Sequence, residues 1–496
     1  MISILFQSII DNNNTRQSLS SLRQELKQDD STKDTIRELA VSHFETLLTL
    51  LSSKDAKTRR NVALLMGDLK IDDFASSLFQ QYTKEETLFV KSAYLTALTA
   101  LNCDAFIPQL KTRLQELQAF PITPETKKHL DEEMRVLTQL LLQKEGMTPH
   151  TFCGYTNFYN CILLTNRLHA SVTEEQILHG QSTAFSAGLM VKTDNIQELL
   201  EIRTYRELLF VIPEFTTCSN DPNTASEELA NSNLLSFLQQ SHKEGTPFYF
   251  RIDLKCQMSL AQKSVFTKKL STQLEHLTNR QLINSTSHYE LEIRMIENKQ
   301  HTFNVLVKLK TLPDTRFAYR KGVISSSIRP DVAALLVSLA KEYMIPDAQI
   351  LDPFCGVGTM LIERQQQIKG NTSYGVDISK EAITIARKNT EHANQIIHFI
   401  NRDFFRFTHE YLFDEIFTNM PFFMYDARQA ELFELYRRFF EKSKEVLKPH
   451  GTLILYSHNP NYIEELCTQY GYRILENIVI LDIEGSSLVI LKRQGV

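Results

Sequence analysis

The spacing of hydrophobic and polar residues changes twice along the chain. Up to about residue 145 the apolar positions follow a helical spacing, and glycines and β-rich runs are scarce. From about residue 150, short runs alternate between apolar and polar positions, which predicts strands joined by turns. In the last third, strand-like runs alternate with amphipathic helical stretches. We therefore predict three regions, 1–145, 146–320 and 321–496, with a linker near Gly146.

The helical region contains a weak internal repeat with an offset of 32 residues. Its matching positions fit two helices per unit and are Arg59, Val62, Leu65, Leu69, Phe74 and Leu78 in one copy and Lys91, Tyr94, Ala97, Leu101, Phe106 and Leu110 in the next. A period of this size is typical of an α-solenoid, and the segment resembles HEAT-type repeats. A plain helical bundle is the alternative. A solenoid would bind a protein partner or an RNA surface rather than catalyse a reaction.

The central region is predicted to be an α+β domain. We expect strands at 151–165, 183–193 and 207–213, and a polar loop at 218–233. A β-α-β-β unit of ferredoxin-like type is expected at about 245–312, with strands at 248–254, 288–296 and 302–310. Ser259 begins the amphipathic helix of this unit.

Charge is unevenly distributed between this unit and the rest of the chain. From Lys243 to Arg329 there are 15 Lys and Arg against 7 Asp and Glu, whereas the whole chain has a net charge of -5. A basic surface on a small α/β module is typical of nucleic-acid binding. The alternative is a lysine-rich face that is simply solvated.

The first candidate binding element in the last third of the chain is a glycine-containing turn. An apolar strand leads into Asp352, and the turn D-P-F-C-G-V-G-T then contains Gly356 and Gly358, which let backbone N–H groups approach a ligand. The next strand ends at Asp377, whose carboxylate can accept two ribose hydroxyls. A dinucleotide fingerprint needs a third glycine, but position 361 is Leu. The carboxylate of Asp352 favours an amino-bearing or cationic ligand, which indicates S-adenosylmethionine; a turn without a ligand is the alternative.

The remaining strands predict a doubly wound, mostly parallel, seven-stranded α/β sheet of Rossmann-like type that ends in a hairpin. Asp352, Asp377, Asp403 and Asn419 each lie at or just past the end of one of the first four strands. Ligands bind at the carboxyl ends of strands in such sheets. Four polar residues at equivalent strand ends therefore predict a binding site.

Residues from about 150 onwards resemble a known enzyme family. The segments FYFRIDLK and HYELEIRMIENKQHTFNVLVKL look like a THUMP domain, an RNA-binding module. Ser327, Pro330 and Ala333 are similar to the segment that joins THUMP to the catalytic domain in THUMP-containing RNA methyltransferases. The turn at Asp352 resembles the cofactor turn of class I methyltransferases. The resemblance implies a cofactor site for S-adenosylmethionine, made by Asp352, Pro353, Phe354, Gly356, Gly358, Thr359, Asp377, Ile378, Asp403, Phe404 and Asn419.

The sequence TNMPF resembles the (D/N)PP(Y/F) motif of enzymes that methylate exocyclic amines. By this resemblance the Asn419 side chain and the Met420 carbonyl accept the amine hydrogens, Pro421 fixes the turn and Phe422 stacks on the base. Met420 and Phe423 depart from the usual motif. The implied activity is methylation of an amine, guanine N2 by family analogy, in tRNA or rRNA. A non-catalytic RNA-binding adaptor and a DNA or protein amino-methyltransferase are the alternatives.

Composition and cysteine spacing indicate the cellular compartment in which the protein is expected. No apolar run approaches a membrane span, and the first residues lack the features of a signal peptide. The seven cysteines are scattered and form no CxxC pair, so the sequence indicates neither a zinc site nor a disulfide framework. We therefore expect a cytoplasmic protein with reduced thiols.

Overall fold

A computed structural model describes residues 2–11, 13–28, 33–119, 124–422, 428–481 and 485–495. The chain divides into two compact units, residues 1–148 and 149–496. The boundaries of the three regions remain predictions, and we use the regions to describe the chain in order. None of the helices in the described parts of the chain is long and apolar enough to cross a membrane.

The first region is helical, as predicted. Its helices are α1 (Ile2–Ile10), α2 (Thr15–Gln28), α3 (Lys33–Ser42), α4 (Phe44–Leu51), α5 (Ala56–Leu69), α6 (Phe74–Lys84), α7 (Leu88–Thr99), α8 (Ile107–Ala119) and α9 (Pro124–Glu145). The two copies of the sequence repeat correspond to α5 with α6 and to α7 with α8. Val62 and Leu65 in one copy and Tyr94 and Ala97 in the next are buried, which explains why these positions recur. Membership of the HEAT class remains a prediction.

The central region forms one mixed sheet with helices. Its strands are β1 (Tyr159–Leu164), β2 (Gln181–Phe185), β3 (Gly188–Thr193), β4 (Glu207–Phe210), β5 (Thr217–Cys218), β6 (Phe248–Lys255), β7 (Leu282–Asn284), β8 (Leu291–Glu297) and β9 (Phe303–Leu309). Its helices are α10 (Ala170–Glu174), α11 (Ile196–Leu199), α12 (Pro222–Ala230), α13 (Leu234–Ser241) and α14 (Leu260–Leu277). In the described residues the strand order is β2-β3-β1-β4-β9-β8-β6-β7, with β5 paired to β9.

Three expectations for this region are wrong. The polar segment 218–233 contains helix α12, whose start is capped by Asp221, because the side chain accepts hydrogen bonds from the backbone of Asn223 and Thr224. The strand expected at 183–193 is a hairpin of β2 and β3. The segment 151–158 is outside the strand β1, and only Phe152 forms an isolated bridge there.

The β-α-β-β unit is confirmed as β6, α14, β8 and β9. Ser259 and Gln262 form a capping box that begins α14. Strand β8 pairs parallel to β6 and antiparallel to β9. The sequence did not predict the short strand β7, which pairs parallel to β6.

The last region is the predicted doubly wound α/β domain. Its strands are β10 (Gln349–Asp352), β11 (Thr372–Asp377), β12 (His398–Asn401), β13 (Phe413–Asn419), β14 (Leu447–Ser457), β15 (Tyr472–Leu481) and β16 (Ser486–Arg493). Its helices are α15 (Pro330–Ala340), α16 (Thr359–Gln367), α17 (Lys380–His392), α18 (Gln429–Val446) and α19 (Pro460–Cys467). The described sheet has the order β12-β11-β10-β13-β14-β16-β15, and β16 is antiparallel to both of its neighbours.

Side-chain hydrogen bonds join the central region directly to the α/β domain. Arg203 donates two hydrogen bonds, of 2.9 and 2.8 Å, to the fully buried carboxylate of Glu363 on α16, and the Tyr319 hydroxyl donates a third of 2.6 Å. The Asn166 side chain donates to the backbone carbonyl of Ile480 on β15. Two separate contacts therefore hold the central region against the α/β domain.

A buried ion pair joins the helix after the glycine turn to the strand that ends at Asn419. Arg364 on α16 and Glu415 on β13 are both fully buried and share two hydrogen bonds of 2.9 and 3.0 Å. Arg364→Met leaves the Glu415 carboxylate without its counterion, which should cost about 3–5 kcal/mol of unfolding free energy. Thermal or urea unfolding of the full chain measures the loss.

The matched control is Arg437→Met, which removes an arginine that pairs with Glu434 on the surface of α18. We expect it to cost less than about 1 kcal/mol. Equal destabilisation by the two variants would show that the buried pair does not hold the strand in place.

Candidate functional site

Polar residues gather at one edge of the seven-stranded sheet. Asp352, Asp377 and Asn419 are the last residues of β10, β11 and β13, and Asp403 follows the end of β12 by two residues. These four strands are parallel neighbours, so their carboxyl ends share one edge. A cavity of about 560 Å³ opens there. The structure thus brings together the strand ends that the sequence predicted would meet.

Most of the predicted site residues line this cavity. They are Pro353, Phe354, Gly356, Thr359, Asp377, Ile378, Asp403, Phe404, Asn419, Met420, Pro421 and Phe422. Asp352 and Gly358 do not line it, although the sequence placed both among the cofactor contacts. Phe423 lies outside the described residues. The roles of the individual residues remain predictions.

Asp352 lies beneath the glycine turn and is fully buried. Its Oδ1 accepts hydrogen bonds from the Thr418 hydroxyl at 2.6 Å and from the backbone N–H of Phe354 at 3.1 Å. Its Oδ2 has no hydrogen-bond partner in the described chain. Burial raises the pKa of Asp352 to about 7, and the nearby Asp377 carboxylate adds to the increase.

The two glycines of the turn serve different purposes. Gly356 has a φ of 50°, and a side chain there would enter open space beside the cavity. Gly358 has a φ of 83° and begins α16, and an added Cβ would lie 2.9 Å from the Phe399 ring. Gly358 is therefore required by backbone conformation and by packing against β12, and its place among the cofactor contacts remains a prediction.

Backbone donors orient the two carboxylates that line the cavity. Asp377 accepts hydrogen bonds from the N–H groups of Gly356 at 2.9 Å and Ser379 at 2.8 Å. Asp403 accepts one from the N–H of Phe405 at 3.0 Å. Each carboxylate oxygen can accept more than one hydrogen bond, so both groups can still accept from a ligand.

The segment from Asn419 to Phe422 follows the end of β13 and is held by hydrogen bonds to β14 and α18. The backbone N–H of Met420 donates to the carbonyl of Tyr456 on β14 at 2.8 Å, and Met420 is fully buried. The Tyr436 hydroxyl donates to the Pro421 carbonyl at 3.3 Å. The Phe422 ring remains 38% exposed, so one part of its surface is open to the cavity and solvent.

The cavity also has walls that the sequence did not predict. One wall is the connection between the central region and α15, and it contributes Ile324, Ser326, Ser327 and Ile328. Asn389 on α17 holds this connection, because its side chain accepts hydrogen bonds from the N–H groups of Lys321 and Gly322, and donates to the carbonyls of Gly322 and Val357. Another wall includes Leu435 and Arg438 from α18.

Two buried polar atoms at the strand ends and one at the start of α16 have no hydrogen-bond partner in the described chain. They are Asp352 Oδ2, Thr359 Oγ1 and Asn419 Oδ1. Buried polar atoms without partners are rare in proteins and are expensive unless a ligand or water satisfies them. Acceptor atoms, open space beside Gly356 and a partly apolar lining fit a ligand with an amino group, ribose hydroxyls and an adenine ring.

Part of the basic charge of the central region is paired with carboxylates. Seven of the fifteen basic side chains between residues 243 and 329 form ion pairs: Arg251, Lys255, Arg280, Arg294, Lys308, Arg316 and Arg329. On α14, Lys268 and Lys269 are exposed and form no ion pair with any described residue. The outer face of α14 is therefore the better candidate for an open basic surface.

Comparison with known proteins shows what the α/β domain is similar to. Residues 318–477, about a third of the chain, match a family described as the RMKL-like methyltransferase domain. Over 246 residues the chain is 25% identical to a curated protein of Rickettsia typhi described as a bifunctional methyltransferase, in a match that covers 45% of this chain and 46% of that protein. The chain thus spans about half the length of this curated relative.

Two solved structures show a similar fold over a longer stretch. TrmN from Thermus thermophilus has a TM-score of 0.50 at 18% identity, and the match covers 68% of this chain and 100% of that one. A protein of Listeria monocytogenes described as a predicted N6-adenine-specific DNA methylase has a TM-score of 0.50 at 15% identity, covering 68% and 97%. Residues 321–496 are little more than a third of the chain, so the likeness in fold extends into the central region.

The last region has the fold of a class I methyltransferase and contains most of the match to the methyltransferase-domain family, and S-adenosylmethionine is its cofactor. The residues that line the cavity fit this molecule, because Asp377 and Asp403 offer carboxylate acceptors for hydroxyl or amino groups and Thr359 offers a hydroxyl without a partner in the described chain. When bound, it supplies a methyl group on a positively charged sulfur. The chain's own part is to hold the carboxylates and the turn at Asn419 in fixed positions.

We expect cofactor binding to depend on pH through the protonation of Asp352. A carboxyl group with a pKa of about 7 is neutral at lower pH, and a cationic ligand favours its ionised form, so affinity for S-adenosylmethionine should rise with pH. We expect an increase approaching tenfold per pH unit between about 5.5 and 7, with a plateau above about 7.5. Calorimetry over this pH range measures it.

Asp352→Asn is the matched control, because it keeps the shape of the side chain and removes the titration. Its profile should be flatter than that of the wild type, and the ligand's own titration is common to both proteins. Parallel profiles for the two proteins would rule out Asp352 as the group that controls the pH dependence.

Proposed function

We propose that this protein is an RNA methyltransferase that transfers a methyl group from S-adenosylmethionine to an exocyclic amine, guanine N2, in tRNA or rRNA. The observation that carries the proposal is the side-chain oxygen of Asn419, which is buried at the cavity and has no hydrogen-bond partner in the described chain. An amine nitrogen conjugated to a base has its lone pair spread into the ring. An acceptor that holds one amine hydrogen can turn this lone pair toward the methyl group.

The turn around Asn419 supports this chemistry by alignment. Met420 continues the pairing of β13 with β14 for one residue beyond the strand, so the Asn419 side chain and the Met420 carbonyl keep a fixed relation to the sheet. Methyl transfer forms the nitrogen–carbon bond, breaks the sulfur–carbon bond and releases one amine proton. Because the sulfur leaves as a neutral thioether, alignment supplies most of what the protein must contribute.

An aromatic surface next to this turn suits a flat base. The Phe422 ring lies 4.2 Å from the ring of His458, which follows the end of β14, with an angle of 33° between the planes. A nucleobase extruded from its stack can lie against such a surface. The same arrangement would accept an adenine amine, and the Listeria monocytogenes structure is described as an N6-adenine-specific DNA methylase. Guanine N2 rests on resemblance to the THUMP-containing enzymes.

RNA as the substrate rests on the central region. Its β-α-β-β unit resembles a THUMP domain and presents Lys268 and Lys269 to solvent from α14. The contacts of Arg203 with Glu363 and of Asn166 with Ile480 hold this region at a fixed position beside the methyltransferase domain. RNA bound by the central region would therefore meet the cavity in a defined orientation.

The reaction is tested directly with a labelled methyl donor. The protein is incubated with labelled S-adenosylmethionine and total RNA, and the RNA is hydrolysed to nucleosides. The proposal expects label in a guanosine methylated at N2. Label only in protein, only in DNA supplied in parallel, or in neither would contradict it.

Asn419→Ala tests the role of the turn. Removing the amide should lower kcat by roughly a hundredfold or more, in line with the loss of one aligned polar group in other active sites. The affinity for S-adenosylmethionine should change by only a few-fold, because Asp377, Asp403 and the glycine turn are intact. Single-turnover methyl transfer and calorimetry together measure both quantities.

The matched control is Asn401→Ala, which removes an amide that donates hydrogen bonds to the backbone carbonyls of Asp377 and Ile378 on the cofactor side. We expect it to weaken donor binding more than it lowers kcat. An Asn419→Ala protein with full kcat would exclude the proposed use of this turn.

Lys268→Ala combined with Lys269→Ala tests the RNA surface. The double variant should weaken RNA binding and reduce the dependence of log affinity on log salt concentration by about 1.4 to 1.8, because two phosphate contacts are lost. Lys255→Ala with Arg329→Ala is the control, since both side chains are paired with carboxylates. Equal salt dependence in the two double variants would exclude α14 as the binding surface.

A further inference from the structure

Arg438 is the basic residue among the described residues that line the cavity. It extends from α18, and the centre of its guanidinium group lies 3.8 Å from the centroid of the Phe405 ring. Phe405 also lines the cavity, and its backbone N–H donates to Asp403. The guanidinium is therefore held over a ring whose position is fixed relative to the cavity.

Arg438 has no carboxylate partner among the residues that the structure describes. Glu434, one helical turn earlier, is held by the neighbouring Arg437 through two hydrogen bonds of 2.7 Å. Arg437 also pairs with Glu441. Because these acidic groups are bound to Arg437, the N–H groups of the exposed Arg438 remain available to a ligand.

Arg438 adds a positive charge to a cavity that is expected to hold a cation. S-adenosylmethionine carries a sulfonium, an ammonium group and one carboxylate, which leaves a net positive charge. Its methionine end, which includes that carboxylate, is expected near Asp352 and Thr359, whereas Arg438 stacks on Phe405, whose N–H donates to Asp403. An additional positive charge on the same cavity opposes a cationic ligand and attracts an anion. The cavity thus has acidic groups at the strand ends and, on the wall formed by α18, the guanidinium of Arg438, which has no carboxylate partner among the described residues.

We propose that Arg438 binds a phosphodiester of the RNA chain next to the nucleotide whose base enters the cavity. This inference rests on the proposed function and identifies Arg438 as a residue that recognises the RNA backbone at the same site. The planar guanidinium can donate two parallel hydrogen bonds to a phosphate, and its stacking on Phe405 fixes the plane before RNA arrives. Such a contact distinguishes a polynucleotide from a free nucleoside or a protein amine.

Binding of a fluorescently labelled single-stranded RNA of mixed sequence to the full-length protein tests the inference. Arg438→Ala should weaken binding by about tenfold at low salt and reduce the slope of log affinity against log salt by about 0.7 to 0.9. The affinity for S-adenosylmethionine should stay within a few-fold. Arg438→Lys should keep the salt slope and lose part of the affinity, because the charge remains and the paired hydrogen bonds do not.

Arg437→Ala is the matched control, since it removes the same charge from the adjacent position of the same helix. It should leave both RNA affinity and salt slope close to those of the wild type, because its charge is already neutralised by Glu434 and Glu441. Equal effects of Arg437→Ala and Arg438→Ala would overturn the proposal. So would an Arg438→Ala protein whose main defect is in binding S-adenosylmethionine.

A second set of measurements separates this inference from the proposed function. A wild-type protein that binds the oligonucleotide but methylates no RNA overturns the proposed function. In that case the slope of log affinity against log salt concentration, measured for the variants, still decides whether Arg438 contacts a phosphodiester. Methylation of RNA with unchanged slopes for Arg438→Ala overturns only the inference.

A labelled DNA of the same sequence serves as the parallel arm, because it has the same phosphodiester but lacks the 2′-hydroxyl groups. We expect it to bind more weakly than the RNA. Tighter binding of DNA than of RNA, with the same loss on Arg438→Ala, would keep the phosphodiester contact and overturn its assignment to RNA.

Discussion

Four parallel strands end at one edge of a sheet, and this shared edge determines where the polar groups of the cavity lie. Asp352, Asp377 and Asn419 end three of these strands, and Asp403 follows the fourth. The backbone pairing of the strands sets the spacing between these side chains before any ligand is present. The buried pair of Arg364 and Glu415 then fixes α16 against β13. The site is therefore preorganised by the sheet rather than assembled from flexible loops.

Charge differs between the parts of the cavity. The carboxylates at the strand ends are suited to a cofactor with positive groups, and burial raises the pKa of one of them, Asp352, to about 7. Asn419 and Phe422 offer neutral hydrogen bonding and a ring surface beside it. Arg438 adds a positive charge on the α18 wall. A cationic cofactor, a neutral base and an anionic backbone can thus each meet a complementary surface within one cavity of about 560 Å³.

The sequence predicts the features that depend on local pattern and misses those that depend on tertiary contact. Strand–helix alternation is sufficient for the α/β domain, because buried parallel strands have a clear apolar signature. The cap at Asp221 and the following proline mark a helix that a polar composition conceals. The packing that leaves no room for a side chain at Gly358 is not visible in the sequence, because Phe399 is distant along the chain. The wall containing Ser327 is likewise invisible in the sequence, since only folding brings it over the strand ends.

The central claim is that the strand ends hold S-adenosylmethionine beside the turn at Asn419. A crystal structure of the full-length protein with S-adenosylhomocysteine bound tests it most directly. The account predicts ribose hydroxyls hydrogen-bonded to Asp377, the amino acid end near Asp352 and Thr359, and the sulfur facing the Asn419 turn. A ligand bound elsewhere, or one whose sulfur faces away from Asn419, would contradict it.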